Sequence, residues 1–148
     1  MTKPTIKFKL PSGRQPVIVQ ILPALVRGGV ERGTVEMAKA IQTAGGHAVV
    51  ISNGGPLVRH IERCGGKHIA LPVHVKNPLR WPGLRSQLRI IFQTEGADVV
   101  HVRSRVPAWL ALSVAKSMGI ATISTVHSRF TSSSFLKRCY NAKLLDAG

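Results

Sequence analysis

Acidic residues are scarce in this sequence. Six Asp and Glu stand against 21 Lys and Arg, which gives 148 residues a formal charge of +15. Asp98 and Asp146 are the two aspartates, so an aspartate pair holding a magnesium–diphosphate complex is disfavoured. A positive field of this size instead attracts phosphate-bearing partners such as nucleic acid, anionic lipid, a nucleotide sugar or a phosphorylated glycan.

Cysteines, aromatics and long apolar runs are also few. Cys64 and Cys139 lie far apart, which is typical of free thiols in a reducing compartment. No run of 18 apolar residues exists, so no membrane-spanning helix is predicted. The basic start followed by an apolar run resembles a signal peptide, but Gln20 and Pro23 interrupt that run. Residues 1–15 are therefore predicted to be a flexible basic tail.

Several catalytic motifs are missing. The chain lacks G-x-G-x-x-G with an acid after the second strand, which disfavours a nicotinamide or flavin enzyme. It also lacks the phosphate-binding loop G-x-x-x-x-G-K-[ST] and the G-x-S-x-G elbow of a Ser-His-Asp hydrolase. Without H-x-x-x-H or a Cys/His cluster, no metal site is predicted.

The stretch from Val17 to Ala44 is the most informative segment. Residues 17–21 form a short apolar run, which predicts a buried strand that Pro23 ends. Gly28 and Gly29 follow, and a helical apolar pattern then begins at Val30. A strand, a glycine turn and a helix N-terminus together form a potential site for a phosphate or sugar phosphate.

Alternation of strands and helices continues along the chain and predicts an α/β fold. We expect a doubly wound, mainly parallel Rossmann-like sheet with helices on both faces, in one domain over residues 16–148. A loop is expected over 73–83, a polar loop over 127–134 and a further helix over 135–145. The predicted strands are 17–21, 47–51, 67–71, 99–102 and 121–126, and the predicted helices are 30–44, 57–64, 84–95 and 106–118.

Candidate ligand-binding residues follow the ends of the predicted strands. In a parallel sheet these ends meet at one edge, where ligands bind. Arginine forms forked bonds to phosphate, and Asn and Ser bind hydroxyl groups. His127 follows strand five and is the histidine placed for chemistry; His47, His60 and His68 are expected to be solvated, and His101 to be a hydrogen-bonded core residue. The predicted substrate-binding residues are Gly28, Gly29, Arg32, Asn77, Arg103, Arg105, Ser128 and Arg129.

Taken together, several segments resemble the N-terminal domain of family 4 glycosyltransferases. The resemblance covers residues 16–142 and is closest to bacterial members that build lipopolysaccharide core and other surface glycans. The segments that carry it are P-A-L-V-R-G-G-V-E-R-G-T, G-G-H-A-V-V-I-S, G-G-P-L-V, L-P-V-H-V-K-N-P-L, A-D-V-V-H-V-R-S-R-V-P-A-W and S-T-V-H-S.

The resemblance implies a specific chemistry. Members have two Rossmann-like domains in the GT-B arrangement, retain the anomeric configuration and need neither metal nor cofactor beyond the nucleotide-sugar co-substrate. Their N-terminal domain holds the acceptor. The glycine loop, here Gly28–Gly29, approaches the donor diphosphate, and the histidine that matches His127 contacts the transferred sugar as the catalytic residue.

This sequence departs from the family pattern in three places. The second domain, with its pair of glutamates seven residues apart, is absent; Ser128 stands where relatives usually have glycine; and the end K-L-L-D-A-G is atypical. These departures indicate a truncated acceptor-side domain. We therefore expect a hexosyltransferase half that is inactive alone.

Two functional interpretations remain open. The first is glycosyl transfer to a phosphorylated or lipid-linked glycan in the cytoplasm, with peripheral contact to the inner membrane surface. The second is a basic binding module for nucleic acid or anionic lipid without catalysis. Nucleic acid is the less favoured partner, because the aromatic content is 5% and the cations are dispersed along the chain.

Overall fold

The structure is a computed structural model that describes residues 9–125. Within that range five strands alternate with four α-helices and one 3₁₀ turn. The strands are β1 (Val17–Ile21), β2 (His47–Ser52), β3 (Lys67–Ala70), β4 (Val99–Val102) and β5 (Ala121–Ser124). The helices are α1 (Gly29–Thr43), α2 (Val58–Arg63), α3 (Trp81–Glu95) and α4 (Arg105–Ser117), and the 3₁₀ turn is Pro78–Arg80.

The five strands form one parallel sheet in the order β3-β2-β1-β4-β5. β1 is central, and its Val19 is paired with Val49 of β2 on one side and Val100 of β4 on the other. The chain moves outward from β1 to β3 and then crosses back to β4, so the strand order reverses between β1 and β4. This arrangement confirms the predicted doubly wound sheet and fixes the switch point at which such sheets bind ligands.

Helices cover the sheet on both faces because the β1 side chains alternate between them. Val19 and Ile21 lie in the larger apolar cluster, which also includes Leu88 and Phe92 of α3 and several residues of α4. Phe92 is almost fully buried, so its truncation to alanine is expected to cost about 3–5 kcal/mol of stability. On the other face, α1 and α2 pack over Ile18, Ala48 and Val50.

Gln20 is the polar interruption of β1, and the structure gives it a partner. Its side chain is fully buried on the α1 side of the sheet, where its Nε2 donates to the carbonyl oxygen of Thr34 at 3.2 Å. Thr34 in turn donates its hydroxyl to the Val30 carbonyl at 2.8 Å, within α1. These bonds hold the first turns of α1 against the central strand.

The start of α3 differs from the predicted helix. The sequence predicts a loop to Gly83 and a helix from Leu84, whereas α3 begins at Trp81 after the 3₁₀ turn Pro78–Arg80. Pro82 lies in the first helical turn, where the missing N–H would have no intrahelical partner. The Nε1 of Trp81 donates to the Val75 carbonyl at 2.9 Å and anchors this start.

The segment before β1 contacts the edge of the sheet opposite the switch-point site. Arg14 forms an ion pair with Asp98, which also accepts from the backbone N–H of Val17 at 2.8 Å. The sequence predicts residues 1–15 as a flexible tail; of these, the structure describes 9–15, and the boundary at residue 16 stays a prediction. No helix in the described part of the chain is long and apolar enough to cross a membrane.

Candidate functional site

The glycine turn lies at the carboxyl edge of the sheet, between β1 and α1. Gly28 is the N-cap residue of α1, with φ 157° and ψ 174°, and Gly29 is the first helical residue. The carboxylate of Glu31 folds back over Gly28 and fills the space that a Cβ at Gly28 would occupy. The backbone conformation favours glycine at position 28, and a larger residue there would also have to displace the Glu31 carboxylate.

Gly29 is different, because nothing in its surroundings requires a glycine. Its φ is not positive, and a Cβ built there meets no atom within 4 Å. Gly29 is exposed at the helix N-terminus, where backbone N–H groups lack intrahelical partners and the helix dipole favours an anion. The space beside Gly29 is therefore open, whereas the Glu31 carboxylate lies beside Gly28.

The loop after β2 holds the glycine turn in place. The N–H of Leu25 donates to the Gly54 carbonyl at 2.8 Å, and the N–H of Leu57 donates to the Leu25 carbonyl at 3.0 Å. Gly55 lies so close to the Leu25 carbonyl that any side chain there would overlap it. The two loops therefore form one hydrogen-bonded unit beside the switch point.

Ser52, at the end of β2, and His68 of β3 are hydrogen-bonded to each other and stabilise the loop that carries Gly54. Ser52 is fully buried, its Oγ accepts from the Gly54 N–H at 3.0 Å, and His68 Nε2 lies 2.9 Å from the same Oγ. Since Oγ already accepts one bond, its proton is best donated to a neutral His68 Nε2. Burial lowers the pKa of His68 below its ordinary value, and the nearby Glu62 acts weakly in the opposite direction. The expectation that His68 is solvated was wrong: the sheet places it against Ser52.

Arg103 closes the crevice at the switch point. It follows β4 directly, its N–H donates to the Ile21 carbonyl at 3.0 Å, and its side chain is buried. The guanidinium packs against α1 at Gly33, where a Cβ would lie 3.1 Å from Nη1. Burial lowers the pKa of Arg103. The ends of β1 and β4 thus bring a glycine turn, a helix N-terminus and a buried cation to one place.

The other predicted substrate-binding residues in the described part of the chain do not all lie beside the glycine turn. Arg32 is exposed on α1, and Arg105 is half-buried as the first residue of α4. Asn77 follows β3, two strands away from β1, and its Oδ1 accepts from the Leu79 N–H at 3.0 Å.

His127, Ser128 and Arg129 lie outside the described residues, so their substrate roles stay predictions. His101 is buried with its Nε2 2.6 Å from Thr125 Oγ1, as expected of a core histidine.

Sequence reasoning missed Gly33, Gly55 and the Ser52–His68 pair. A glycine inside the helical pattern at position 33 was a usable signal, because glycine in a helix interior needs a packing reason. The Ser52–His68 contact depends on strand register, in which Ser52 is paired with Ala70 and His68 with Val50. No spacing along the chain reveals such a register.

The described part of the chain has a cavity at each edge of the sheet. One, of about 470 Å³, opens beside the α3 N-terminus at the carboxyl edge and is lined by Pro72, Leu79, Arg80, Gly83, Leu84 and Gln87. The other, of about 440 Å³, is almost wholly apolar and lies at the opposite edge, near Pro16 and Asp98. Within residues 9–125 no group of three or more His, Cys, Asp or Glu could hold a metal ion. Independence of metal stays a prediction.

Comparison with known proteins agrees with this geometry. Residues 27–146 match the model of Glycosyltransferase Family 4. A glycosyltransferase from Rickettsia africae ESF-5 has a similar structure, with a TM-score of 0.77, 34% sequence identity and coverage of 89% of this chain. The chain spans 35% of the length of that glycosyltransferase. No curated protein sequence matches significantly.

More distant structures share the fold alone. MurG from Acinetobacter baumannii superposes with a TM-score of 0.67 at 14% identity, over 90% of this chain and 39% of MurG. The C-terminal domain of PF1911 hydrogenase from Pyrococcus furiosus gives 0.57 at 22% identity, over 74% of this chain and 91% of that domain. The family model covers most of this sequence, and the chain is 34% identical to a solved glycosyltransferase. The chain therefore belongs to glycosyltransferase family 4, as an N-terminal domain of the GT-B type.

Proposed function

We propose that this domain forms the acceptor side of an enzyme that moves a sugar from a nucleotide-sugar donor to a lipopolysaccharide or other cell-surface glycan. The donor diphosphate approaches the glycine turn, and a second domain completes the cleft. His127 contacts the transferred sugar, and no metal takes part. Arg32, Asn77, Arg105, Ser128 and Arg129 contribute contacts from the loops around the cleft.

The observation that carries this proposal is the open space beside Gly29. Elsewhere in the two joined loops, a glycine is explained by its backbone angles or by a close neighbour, as at Gly28 and Gly55. At Gly29 neither reason applies, and the residue begins a 15-residue helix at the switch point of the sheet. A phosphate-bearing ligand that uses the α1 N–H groups accounts for the missing side chain.

A binding experiment tests the proposal without a second domain. Residues 1–148 labelled with ¹⁵N are titrated with a uridine diphosphate sugar and, separately, with a lipopolysaccharide-core oligosaccharide. The amide signals of Gly28, Gly29 and Val30 are expected to shift with the nucleotide sugar, and those of the neighbouring loops with the oligosaccharide. Absence of shifts at this edge up to millimolar ligand, with shifts elsewhere or none at all, contradicts the proposed function.

Peripheral contact with the inner face of the cytoplasmic membrane is part of the same proposal. Residues 71–94 contain Lys76, Arg80, Arg85 and Arg89 but no acid. At their tip, Leu79 is 87% exposed, beside Arg80 and at the same sheet edge as the glycine turn. An exposed apolar residue flanked by cations suits a surface of anionic lipid, where each cation contributes on the order of 1 kcal/mol.

Vesicle binding tests this contact. Residues 1–148 are expected to sediment with vesicles containing phosphatidylglycerol but not with pure phosphatidylcholine, and Leu79→Ser should weaken binding about 3- to 10-fold, since an inserted leucine buries apolar surface. Ile90→Ser is the matched control, because Ile90 is also exposed but lies further along α3. Equal binding by both variants and the unmodified chain would remove Leu79 from the contact.

A further inference from the structure

Among the residues that the structure describes, Arg103 is buried without a compensating charge. Its side chain is 8% exposed, and its Nε is enclosed without a hydrogen-bond partner in the described part of the chain. The ion pairs among residues 9–125 involve Arg14 and Lys67, and both lie away from Arg103. Burying a guanidinium is costly unless its donors are satisfied, so a cation left in this state needs a reason.

Helix α1 has a glycine, Gly33, at the point where the guanidinium of Arg103 packs against it. Gly33 lies in the second turn of α1, where glycine is less favourable than alanine, yet a Cβ there would lie 3.1 Å from Nη1 of Arg103. Gly33 also has an ordinary helical backbone rather than a positive φ. Gly33 therefore leaves space for the guanidinium of Arg103, which has no ion-pair partner within residues 9–125.

We propose that Arg103, seated on Gly33, is the receptor for a phosphate group of the ligand that binds at the switch point between β1 and β4. The inference rests on the proposed function for the identity of that ligand. A guanidinium presents a rigid fork of donors that matches two phosphate oxygens, and it is already stripped of most water before the ligand arrives. The diphosphate of a nucleotide sugar and the phosphate of a phosphorylated acceptor present the same oxyanion to it.

The electrostatics of the free protein support this role. Burial lowers the pKa of Arg103, so the charge that its guanidinium keeps lies in a less favourable environment than water. An arginine that served to stabilise the fold through a salt bridge would have its charged form favoured instead. A bound phosphate supplies the missing negative charge and removes the penalty that the free protein carries.

Calorimetric titration of residues 1–148 with pyrophosphate tests the proposal. Arg103→Met should weaken binding about 10- to 100-fold, because a charge-assisted forked contact is lost. The affinity of Arg103→Lys for pyrophosphate should lie between those of the unmodified chain and Arg103→Met, since lysine keeps the charge but not the forked donor geometry. Arg63→Met is the matched control: it removes the same charge from an exposed position on α2 and should change affinity by less than about 3-fold.

Thermal unfolding separates ligand binding from a structural role. Without ligand, Arg103→Met should unfold at the same temperature as the unmodified chain or higher, since it removes an unpaired buried cation. Gly33→Ala should likewise keep or raise the unfolding temperature but weaken pyrophosphate binding, and it should have no further effect in the Arg103→Met background. A lower unfolding temperature for Arg103→Met together with unchanged pyrophosphate affinity overturns the proposal.

The source of the phosphate is decided by two further ligands. Uridine diphosphate represents the donor, and a hexose phosphate represents a phosphorylated acceptor; the one whose affinity depends on Arg103 is the natural source. These measurements distinguish failure of the Arg103 proposal from failure of the proposed function. If nucleotide sugar shifts the Gly29 amides while Arg103→Met binds every phosphate compound normally, the Arg103 proposal is wrong and the proposed function stands.

Discussion

Single residues at the carboxyl edge divide into those that the fold requires and those that it does not. Gly28 and Gly29 are adjacent, but only Gly28 is constrained by its backbone angles and by Glu31. Both positions look alike in the sequence, where R-G-G-V predicts a turn and a phosphate site without distinguishing the two glycines. The distinction arises from three-dimensional surroundings, and it predicts opposite effects of substitution on stability and on ligand binding.

Valine substitutions test this distinction. Gly29→Val should change the free energy of unfolding by less than about 1 kcal/mol, because its Cβ enters open space, yet it should abolish the shifts caused by nucleotide sugar. Gly28→Val should cost about 1–3 kcal/mol, because it forces a strained backbone and displaces Glu31. Urea unfolding and amide titration of both variants provide the measurement. A Gly29→Val variant that still binds nucleotide sugar normally would show that this space is not used.

His68 gives the molecule a pH-dependent stability. Its pKa is lowered in the folded state by burial, so between the folded and unfolded pKa values the unfolded chain binds more protons. Stability is therefore full above the unfolded value of about 6.5 and is lost as pH falls through the folded pKa. Because protonation also competes with the Ser52 bond, the loop that carries Gly54 should loosen in the same pH range.

Urea unfolding between pH 5 and 8 checks this expectation. His68→Gln should flatten the dependence of unfolding free energy on pH, since glutamine offers Ser52 an acceptor but does not titrate. His47→Gln is the control, because His47 is exposed at the start of β2. An unchanged slope in His68→Gln, with a reduced slope in His47→Gln, would contradict the assignment.

At the scale of elements, the joined β1–α1 and β2–α2 loops are the feature that positions the site. Gly54 and Gly55 both have positive φ, of 93° and 141°, but only Gly55 lies against the Leu25 carbonyl. Each loop alone would be an ordinary connection on the surface. Their hydrogen bonds through Leu25 make the position of the glycine turn depend on the end of β2.

Alanine substitutions measure this dependence. Gly54→Ala should cost about 1 kcal/mol through backbone strain alone. Gly55→Ala should cost about 1–2 kcal/mol more, because its methyl group also displaces Leu25. Unfolding in urea gives the difference, and the amide signals of Gly28 and Gly29 should move in Gly55→Ala but not in Gly54→Ala. Equal costs and unmoved signals would show that the loops are not coupled.

The order of elements could be predicted from the sequence because the strands are short runs rich in apolar residues, and a proline or glycine lies two residues after each of the first three. Val17–Ile21, with Pro23 behind it, is the clearest case. The beginning of α3 could not be predicted in this way, since Pro82 suits a first helical turn as well as a loop. For the site, arginine after β4 was predictable by position, but its burial against Gly33 depends on the packing of α1 over the sheet.

At the scale of the whole molecule, the charge distribution and the sheet topology both favour ligand binding at the carboxyl edge. The parallel strands bring their carboxyl ends to one edge, where Arg103, Arg80 and Lys76 lie on connections. Two of the five acids within residues 9–125, Glu95 and Asp98, lie near the opposite edge and form ion pairs with Lys67 and Arg14. Glu31 lies at the carboxyl edge, where the cations outnumber it and favour a negatively charged ligand or surface.

A polypeptide of residues 1–148 is expected to show no transferase turnover of its own. Transfer needs donor and acceptor held together in reactive geometry, which supplies on the order of 7–11 kcal/mol of the barrier. The loops at the carboxyl edge come from one domain, and the chain spans 35% of the length of the Rickettsia glycosyltransferase that it resembles. Release of nucleoside diphosphate from a panel of nucleotide sugars, with lipopolysaccharide-core and lipid-linked acceptors, measures turnover. Multiple turnovers that disappear in His127→Ala would contradict this expectation and would mean that a second copy of the chain supplies the missing wall.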